Sequence, residues 1–190
     1  MKYEIKHITY SNFGQVQYKR SNRAKYLRLS IDHAKQIKIV IPAKIPFQKA
    51  ERFLYSKGNW IIKQRSKIEA RNRFTLKHLK EIPQSGKPEA RKILLQRLKE
   101  LAELHDFSFN RSFIRSQKTR WGSCSAKNNI NLNIKLINLP EELRDYVIVH
   151  ELVHTRVKNH QQEFWQEMQK YIKQPRTLDK QLNNYNLKLI

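Results

Sequence analysis

The chain has 190 residues, with 39 Lys and Arg against 16 Asp and Glu and a formal net charge of +23. Its single cysteine, Cys124, excludes an internal disulfide. The N-terminus has no apolar segment typical of a secretory signal, and no apolar run approaches the ~20 residues of a membrane helix. These features favour a cytoplasmic protein, with enough residues for one domain with a core, or for a core plus a small appended subdomain.

Alternating apolar residues predict a β-meander over residues 2–41. A period of two is typical of half-buried antiparallel strands, and Pro42 would end the last of them. The clearest alternating positions are Leu27, Leu29 and Ile31, followed by Ile37, Ile39 and Ile41.

Helical periodicity replaces this pattern between residues 46 and 71. Pro46 suits the first turn of one helix, Gly58 suits its end, and Asn59 could cap a second helix. Two short helices are therefore expected after the strands.

Residues 72–88 are rich in Pro, Ser and Gly among basic residues, which predicts a linker or long loop. We therefore expect an N-terminal β-rich and helical subdomain over residues 1–80. A catalytic domain would follow over residues 88–190.

Pro88 opens a predicted amphipathic helix that runs to about His105. A strand is suggested within 107–114, and Asn128-Asn129 is a hairpin-type turn signal. Residues 130–136 alternate cleanly between apolar and polar, so they predict a strand.

A buried helix is predicted from about residue 140 to 157, with Asn138 as its cap and Glu141 three residues on. Val147, Ile148 and Val149 follow one another, which indicates that the helix is buried on most sides. A further helix is expected over residues 161–172.

The buried helix carries the segment Tyr146-Val-Ile-Val-His150-Glu151-Leu-Val-His154. Positions i and i+4 lie on one helix face, so the two imidazoles can reach a common metal ion. Glu151 flanks that ion and could take a proton from a bound water. The alternative is two buried histidines that bond to the backbone.

His160 is the preferred third metal ligand. It follows Asn159, which can take a left-handed conformation and turn the chain back. Three neutral imidazoles would leave Zn²⁺ a fourth position for water. Glu163 and Glu167 are alternative third ligands, since His₂Glu sites are common in zinc proteases. The metzincin pattern has Gly where this chain has Val157, so the chain is not a plain metzincin.

These segments together resemble the YgjP-like metallopeptidases, which are relatives of the SprT and WLM zincins. The resemblance implies an α+β fold with a minimal zincin-like core, in which the active-site helix packs on a small antiparallel sheet. It also implies Zn²⁺ on His150, His154 and His160, with Glu151 as catalytic acid/base. Thr155 and Gln161 depart from the family's usual residues, at positions that affect helix packing and capping. The matching segments are Arg120-Trp-Gly-Ser-Cys-Ser125, Ile130-Asn-Leu-Asn133, Pro140, Tyr146 to His154, Asn159-His160 and Phe164-Trp165, with Arg23-Ala-Lys25, Pro42 and Trp60-Ile61 before them.

Two segments outside the helix have open interpretations. Residues 120–125 could form a wall of the cleft, with Cys124 as a fourth ligand, but a tight turn with a buried Trp121 and an inert thiol is favoured. Asn131 and Asn133 either face solvent or border the cleft on a strand that pairs with a substrate peptide.

Three hypotheses for function follow. The first is a zinc-dependent metallopeptidase that acts on a peptide or protein substrate. The second is a metal-dependent hydrolase of an anionic non-peptide substrate such as a nucleotide, suggested by the +23 charge. The third is a nucleic-acid-associated protein with structural zinc. Basic residues interleaved with aromatic ones over 57–73 and 111–120 suit phosphate contact and base stacking, although they also suit a solvated surface. No membrane partner is expected.

Overall fold

A computed structural model describes residues 5–79 and 82–189 of the chain. Residues 2–4 of the predicted meander and residues 80 and 81 of the predicted loop lie outside the described residues. The chain forms two compact units, Met1–Asn72 and Arg73–Ile190. The subdomain limits expected from the sequence, 1–80 and 88–190, stay a prediction. Within the described ranges, no helix is long and apolar enough to cross a membrane.

The first unit contains a four-stranded sheet with the order β1-β2-β4-β3. β4 lies in the middle, parallel to β2 and antiparallel to β3. The strands therefore do not form the predicted meander, in which each strand pairs antiparallel with the next. Apolar alternation determines which side chains share a face but not which strand lies beside which. The strands are β1 (Ile5–Tyr10), β2 (Gly14–Ser21), β3 (Arg28–Ile31) and β4 (Ile37–Pro42).

α1 (Phe47–Ser56) and the part of α2 (Gly58–His78) up to Asn72 supply the remaining core of this unit. α2 begins at Gly58 rather than after an Asn59 cap, and it continues through residues 72–78, which were expected to be a loop. The residues that break helices, Pro83 and Gly86, lie beyond its end. The buried core residues are Phe13, Val16, Tyr18, Ile37, Ile39, Ile41, Ala50, Leu54 and Ile61.

The second unit combines a three-stranded sheet with four helices, which confirms the α+β class. Its sheet has the order β5-β7-β6. The sheet is mixed rather than antiparallel, because β7 pairs parallel with β5 and antiparallel with β6. The elements are α3 (Lys87–Leu104), β5 (Ser112–Arg115), β6 (Gly122–Cys124), β7 (Ile130–Asn133), α4 (Glu141–Val153), α5 (Gln162–Tyr171) and α6 (Pro175–Leu182), with 3₁₀ turns at Gln84–Gly86, Ile134–Asn138 and Leu187–Leu189.

β7 ends earlier than the alternation to residue 136 predicted. The Asn133 side chain accepts the backbone N–H of Lys135 at 3.2 Å, which starts a 3₁₀ turn. Ile134 and Leu136 are still buried, so they contribute to the core from that turn instead of from a strand. The strand suggested within 107–114 is likewise short and begins only at Ser112.

α4 is the central helix of the second unit. It contacts α3, α5, α6 and β6, which explains why Val147, Ile148 and Val149 are all buried. Pro140 occupies the N-cap position with no side-chain cap bond, so the predicted Asn138 cap is wrong. Glu141 and Glu142 lie in the first turn, where carboxylates favour the positive end of the helix dipole.

Candidate metal centre

Three imidazoles converge at the end of α4. The Nε2 atoms of His150, His154 and His160 lie 3.0–3.2 Å from one another. Around a tetrahedral Zn²⁺ with Zn–N bonds of about 2.0–2.1 Å, donor atoms lie about 3.3 Å apart, so the triangle fits such an ion. Within residues 5–79 and 82–189, this is the one group of three His, Cys, Asp or Glu side chains that could hold a metal ion.

The turn after α4 brings the third histidine to the other two. α4 ends at Val153, and the His154 Nδ1 lies 2.9 Å from the carbonyl oxygen of Val157. The Asn159 side chain accepts the backbone N–H of Gln161 at 3.0 Å. Asn159 is not among the residues with positive φ, so the expected left-handed turn is replaced by this side-chain bond.

The protonation of the imidazoles suits metal binding. Burial, with smaller contributions from His154 and His160, lowers the pKa of His150 to about 3, and burial also lowers the pKa of His154. Both rings are therefore neutral near pH 7. The His154 Nδ1–H donates to the Val157 carbonyl, which leaves a lone pair on Nε2. Unprotonated nitrogens directed at one point repel each other unless a cation lies between them.

Phe164, at the start of α5, packs against all three rings. Its ring centroid lies 4.6 Å from that of His154 and 4.8 Å from those of His150 and His160. Phe164 is fully buried. The sequence analysis names it only within the Phe164-Trp165 segment of the family resemblance, although its position four residues after His160 places it near the site.

Glu151 is buried beside the edge strand β6, with 5% of its surface exposed. Its carboxylate lies near the backbone N–H of Cys124, and Oε2 has no hydrogen-bond partner in the described part of the chain. Burial raises the pKa of Glu151 to about 8, while Arg120 and the Cys124 N–H oppose that rise. A buried carboxyl with one unbonded oxygen can accept or release a proton.

Gly122 makes room for this carboxylate. A Cβ atom at residue 122 would lie 2.6 Å from both Cγ and Oε1 of Glu151. Gly122–Cys124 is a strand, so the expected tight turn is wrong. Trp121 is partly rather than fully buried and packs against the core. The segment therefore lies beside the candidate catalytic residue.

The alternative ligands lie outside the cluster. Glu163 is exposed. Glu167 accepts hydrogen bonds from Tyr171 at 2.7 Å and Arg156 at 3.3 Å, and it also pairs with Lys170. The Cys124 sulfur lies 3.6 Å from the carbonyl oxygen of Ser125. None of the three joins the imidazole group.

The two asparagines of β7 differ from each other. Asn133 is fully buried and donates to the carbonyl oxygens of Gln117 and Arg120 at 2.7 and 2.8 Å. Asn131 accepts from Arg115 at 2.9 Å. Neither is a simple solvent-facing residue. β7 is central in its sheet, so a substrate peptide cannot pair with it, and the edge strand beside α4 is β6.

Two solved structures are similar to about half of the chain. The metallopeptidase zymogen abylysin of Pyrococcus abyssi is 24% identical with a TM-score of 0.42, and the match covers 47% of this chain and 92% of that one. The metallopeptidase zymogen jannalysin of Methanocaldococcus jannaschii is 25% identical with a TM-score of 0.43, over 51% and 97% of the two chains. A comparison with curated proteins found no significant match.

The model of one protein family matches most of the chain. Its description is the YgjP-like metallopeptidase domain, and it matches residues 25–88 and 76–185. The matched residues include the three clustered histidines, Glu151 and the strand β6 beside it. The chain therefore belongs to the YgjP-like metallopeptidases, as its motifs implied, and a metal ion and a peptide substrate are part of that family's chemistry.

Proposed function

We propose that the protein is a zinc peptidase in which His150, His154 and His160 hold the ion and Glu151 is the general base. The observation that carries the proposal is the triangle of three Nε2 atoms within 3.2 Å of one another. When bound, Zn²⁺ supplies Lewis acidity towards water and a peptide carbonyl. An open fourth position is consistent with three protein ligands.

Glu151 would handle the proton. Its carboxylate takes a proton from the attacking water and passes it to the leaving amine. Burial favours the protonated form of Glu151, and the Cys124 N–H and Arg120 favour the carboxylate. These opposed influences suit a group that must both accept and release a proton near neutral pH.

The test combines metal analysis with peptide hydrolysis. Purified protein should contain one equivalent of zinc and cleave an unstructured protein, and a chelator should stop cleavage. Glu151→Gln should retain zinc and lose roughly 10²–10⁴-fold in kcat. Glu163→Gln, which changes an exposed carboxylate after the third histidine, is the matched control and should retain activity.

Two results would contradict the proposal. One is a Glu151→Gln variant that keeps its zinc and its full rate. The other is wild-type protein that holds zinc, leaves proteins intact and hydrolyses nucleotides, which would favour the non-peptide hydrolase. A metal other than zinc in active protein would change the cofactor and leave the residue roles standing.

Nucleic-acid association is a second candidate function, based on the first unit. Residues 1–72 contain 17 Lys and Arg against 4 Asp and Glu. The sheet face opposite the core has no acidic side chain within β1–β4, whose residues are all described. Lys38 on that face pairs with Asp32 at 3.2 Å, in the turn that follows β3. The side chains of the face include His7, Gln15, Gln17, Lys19, Arg28, Ser30 and Lys38.

A further inference from the structure

The outer edge of β6 offers backbone groups for pairing. In an antiparallel pair, residues alternate between those bonded to the neighbouring strand and those directed away from it. Asn133 donates its N–H to Trp121, and Ser125 donates its N–H to Asn129, so residues 121, 123 and 125 face β7. The backbone groups of Gly122 and Cys124 therefore face outward, on the side where the Glu151 carboxylate lies near the Cys124 N–H.

This edge adjoins the candidate catalytic residue. Because the Glu151 carboxylate lies against Gly122 and Cys124, a peptide extended along β6 would pass the general base. Extended chains add to exposed strand edges through main-chain hydrogen bonds. Outward N–H and C=O groups suit a peptide backbone, whereas a DNA backbone offers only acceptors.

A cation lies at each end of β6. Arg120 is exposed, and its backbone carbonyl oxygen accepts a hydrogen bond of 2.8 Å from the Asn133 side chain. Lys158 is exposed at the other end, where its Nζ donates to the Ser125 carbonyl at 3.2 Å. Lys158 also donates to the side-chain oxygen of Asn128. Within the described ranges, neither cation forms an ion pair with a carboxylate.

The surrounding segment reinforces this charge. Residues 107–140, which contain the whole sheet of the second unit, include six Lys and Arg and no Asp or Glu. The carboxylate beside β6 is therefore that of Glu151, which comes from α4 and not from this segment. A substrate with basic side chains would find no partner along this segment, whereas an acidic one would meet a cation at either end of the strand.

We propose that the cleft takes acidic peptide segments, with carboxylate side chains on both sides of the scissile bond received by Arg120 and Lys158. The proposal rests on the peptidase function above and names the substrate class of the same site. From residue 120 to residue 125 an extended chain covers about 16 Å, so the two acidic positions lie about five residues apart.

Three fluorescence-quenched decapeptides with one neutral centre test the proposal. They carry a pair of Glu, Gln or Lys residues five positions apart. At low salt, kcat/KM should fall from the Glu to the Gln to the Lys peptide, with about a tenfold difference between the extremes. Arg120→Glu combined with Lys158→Glu should reverse that order while zinc content stays unchanged.

Lys99→Glu is the matched control. Lys99 is an exposed residue of α3, which packs against β5 at the opposite edge of the sheet. The Lys99→Glu substitution changes the charge at its site by the same amount as each substitution of the double variant. It should leave the order of preference among the three peptides as in the wild type. An unchanged order in the double variant would overturn the proposal.

Other outcomes separate this proposal from the peptidase function. Equal cleavage of all three peptides would overturn the acidic preference and leave the peptidase function standing. If zinc-loaded protein cleaves neither these peptides nor an unstructured protein, the peptidase function fails, and anisotropy measures peptide binding instead. Equal binding then overturns the proposal, whereas preferred binding of the Glu peptide that the double variant loses supports a cationic surface that selects acidic peptides. The binding of a ten-nucleotide DNA strand is measured in the same way. If the double variant loses DNA binding but binds the peptides as the wild type does, the proposal is overturned in favour of nucleic acid.

Discussion

The Tyr146 hydroxyl donates a hydrogen bond of 3.2 Å to the carboxylate of Asp179, which links α4 to α6. Burial raises the pKa of Tyr146, and the Asp179 carboxylate adds to the rise, so the hydroxyl keeps its proton. The same oxygen lies 3.5 Å from Nδ1 of His150 and can accept the proton of that nitrogen. This arrangement leaves the His150 Nε2 unprotonated and directed at the other two rings.

Tyr146→Phe and Asp179→Asn should each weaken zinc binding by about tenfold. The first removes the hydroxyl that contacts His150, and the second removes the carboxylate that holds this hydroxyl in place. Competition with a chromophoric chelator at pH 7.5 measures the affinity directly. Asp145→Asn is the control, because Asp145 pairs with Arg97 on α3 and has no contact with the imidazoles. It should lower stability and leave zinc affinity unchanged. Wild-type affinity in both Tyr146→Phe and Asp179→Asn would refute the positioning role.

Gly122→Ala should lower kcat/KM by about 100-fold with zinc retained, because the added methyl displaces the Glu151 carboxylate. Glu151 is buried, so its carboxylate cannot shift without disturbing the side chains packed around it. Peptide hydrolysis and metal content are measured on the same preparation. Gly86→Ala is the control, since its Cβ would meet nothing nearer than Ile82 at 3.7 Å. Full activity in Gly122→Ala would mean that Glu151 need not stay against β6.

Glu167→Gln should reduce stability by about 1 kcal/mol at pH 7. Lys170, Tyr171 and Arg156, in that order, lower the pKa of Glu167 below its ordinary value of 4.5. A lowered pKa in the folded state stabilises the protein above that ordinary value, and the gain disappears as pH falls through the lowered pKa.

Denaturant unfolding of metal-free protein between pH 7 and pH 3 checks this sign. The difference between wild type and Glu167→Gln should shrink towards acid. Glu163→Gln, at an exposed position on the same helix, should stay within about 0.5 kcal/mol throughout. A difference that grows towards acid would show that the cations around Glu167 do not stabilise its carboxylate.

Association with nucleic acid should depend steeply on salt if the first unit binds phosphates. Arg28→Glu combined with Lys19→Glu changes two cations of the open sheet face, so it should weaken binding of a fluorescent oligonucleotide and flatten the slope of log K against log salt. Lys99→Glu serves as the control in the second unit. A flat salt response in the wild type would exclude this function.

The candidate site was more predictable than the topology around it. His150 and His154 depend only on helix geometry, and His160 follows within one short turn, so the local sequence was sufficient to bring the three rings together. The contact between Glu151 and Gly122 joins residues far apart in the chain, and no local pattern could reveal it. The same limit applies to Asn133, whose alternation suggested exposure although its amide fixes the backbone at Gln117 and Arg120.

The prediction of the strand order was wrong for a related reason. The alternation of Ile37, Ile39 and Ile41 correctly predicted a strand with one buried face. Whether that strand lies beside β2, β3 or both depends on long-range pairing, which period-two patterns do not encode. The continuation of α2 through residues 72–78 could have been expected from the absence of Pro and Gly there.

In each sheet, the strand that comes last in the chain occupies the middle: β4 lies between β2 and β3, and β7 lies between β5 and β6. During synthesis on the ribosome, β3, β5 and β6 therefore emerge before their partner exists. Each sheet must close in one late event, with a long loop to order at that moment, which slows folding relative to successive hairpins. The nascent protein thus leaves β6 without its neighbour until β7 is made, and the Glu151 environment forms only afterwards.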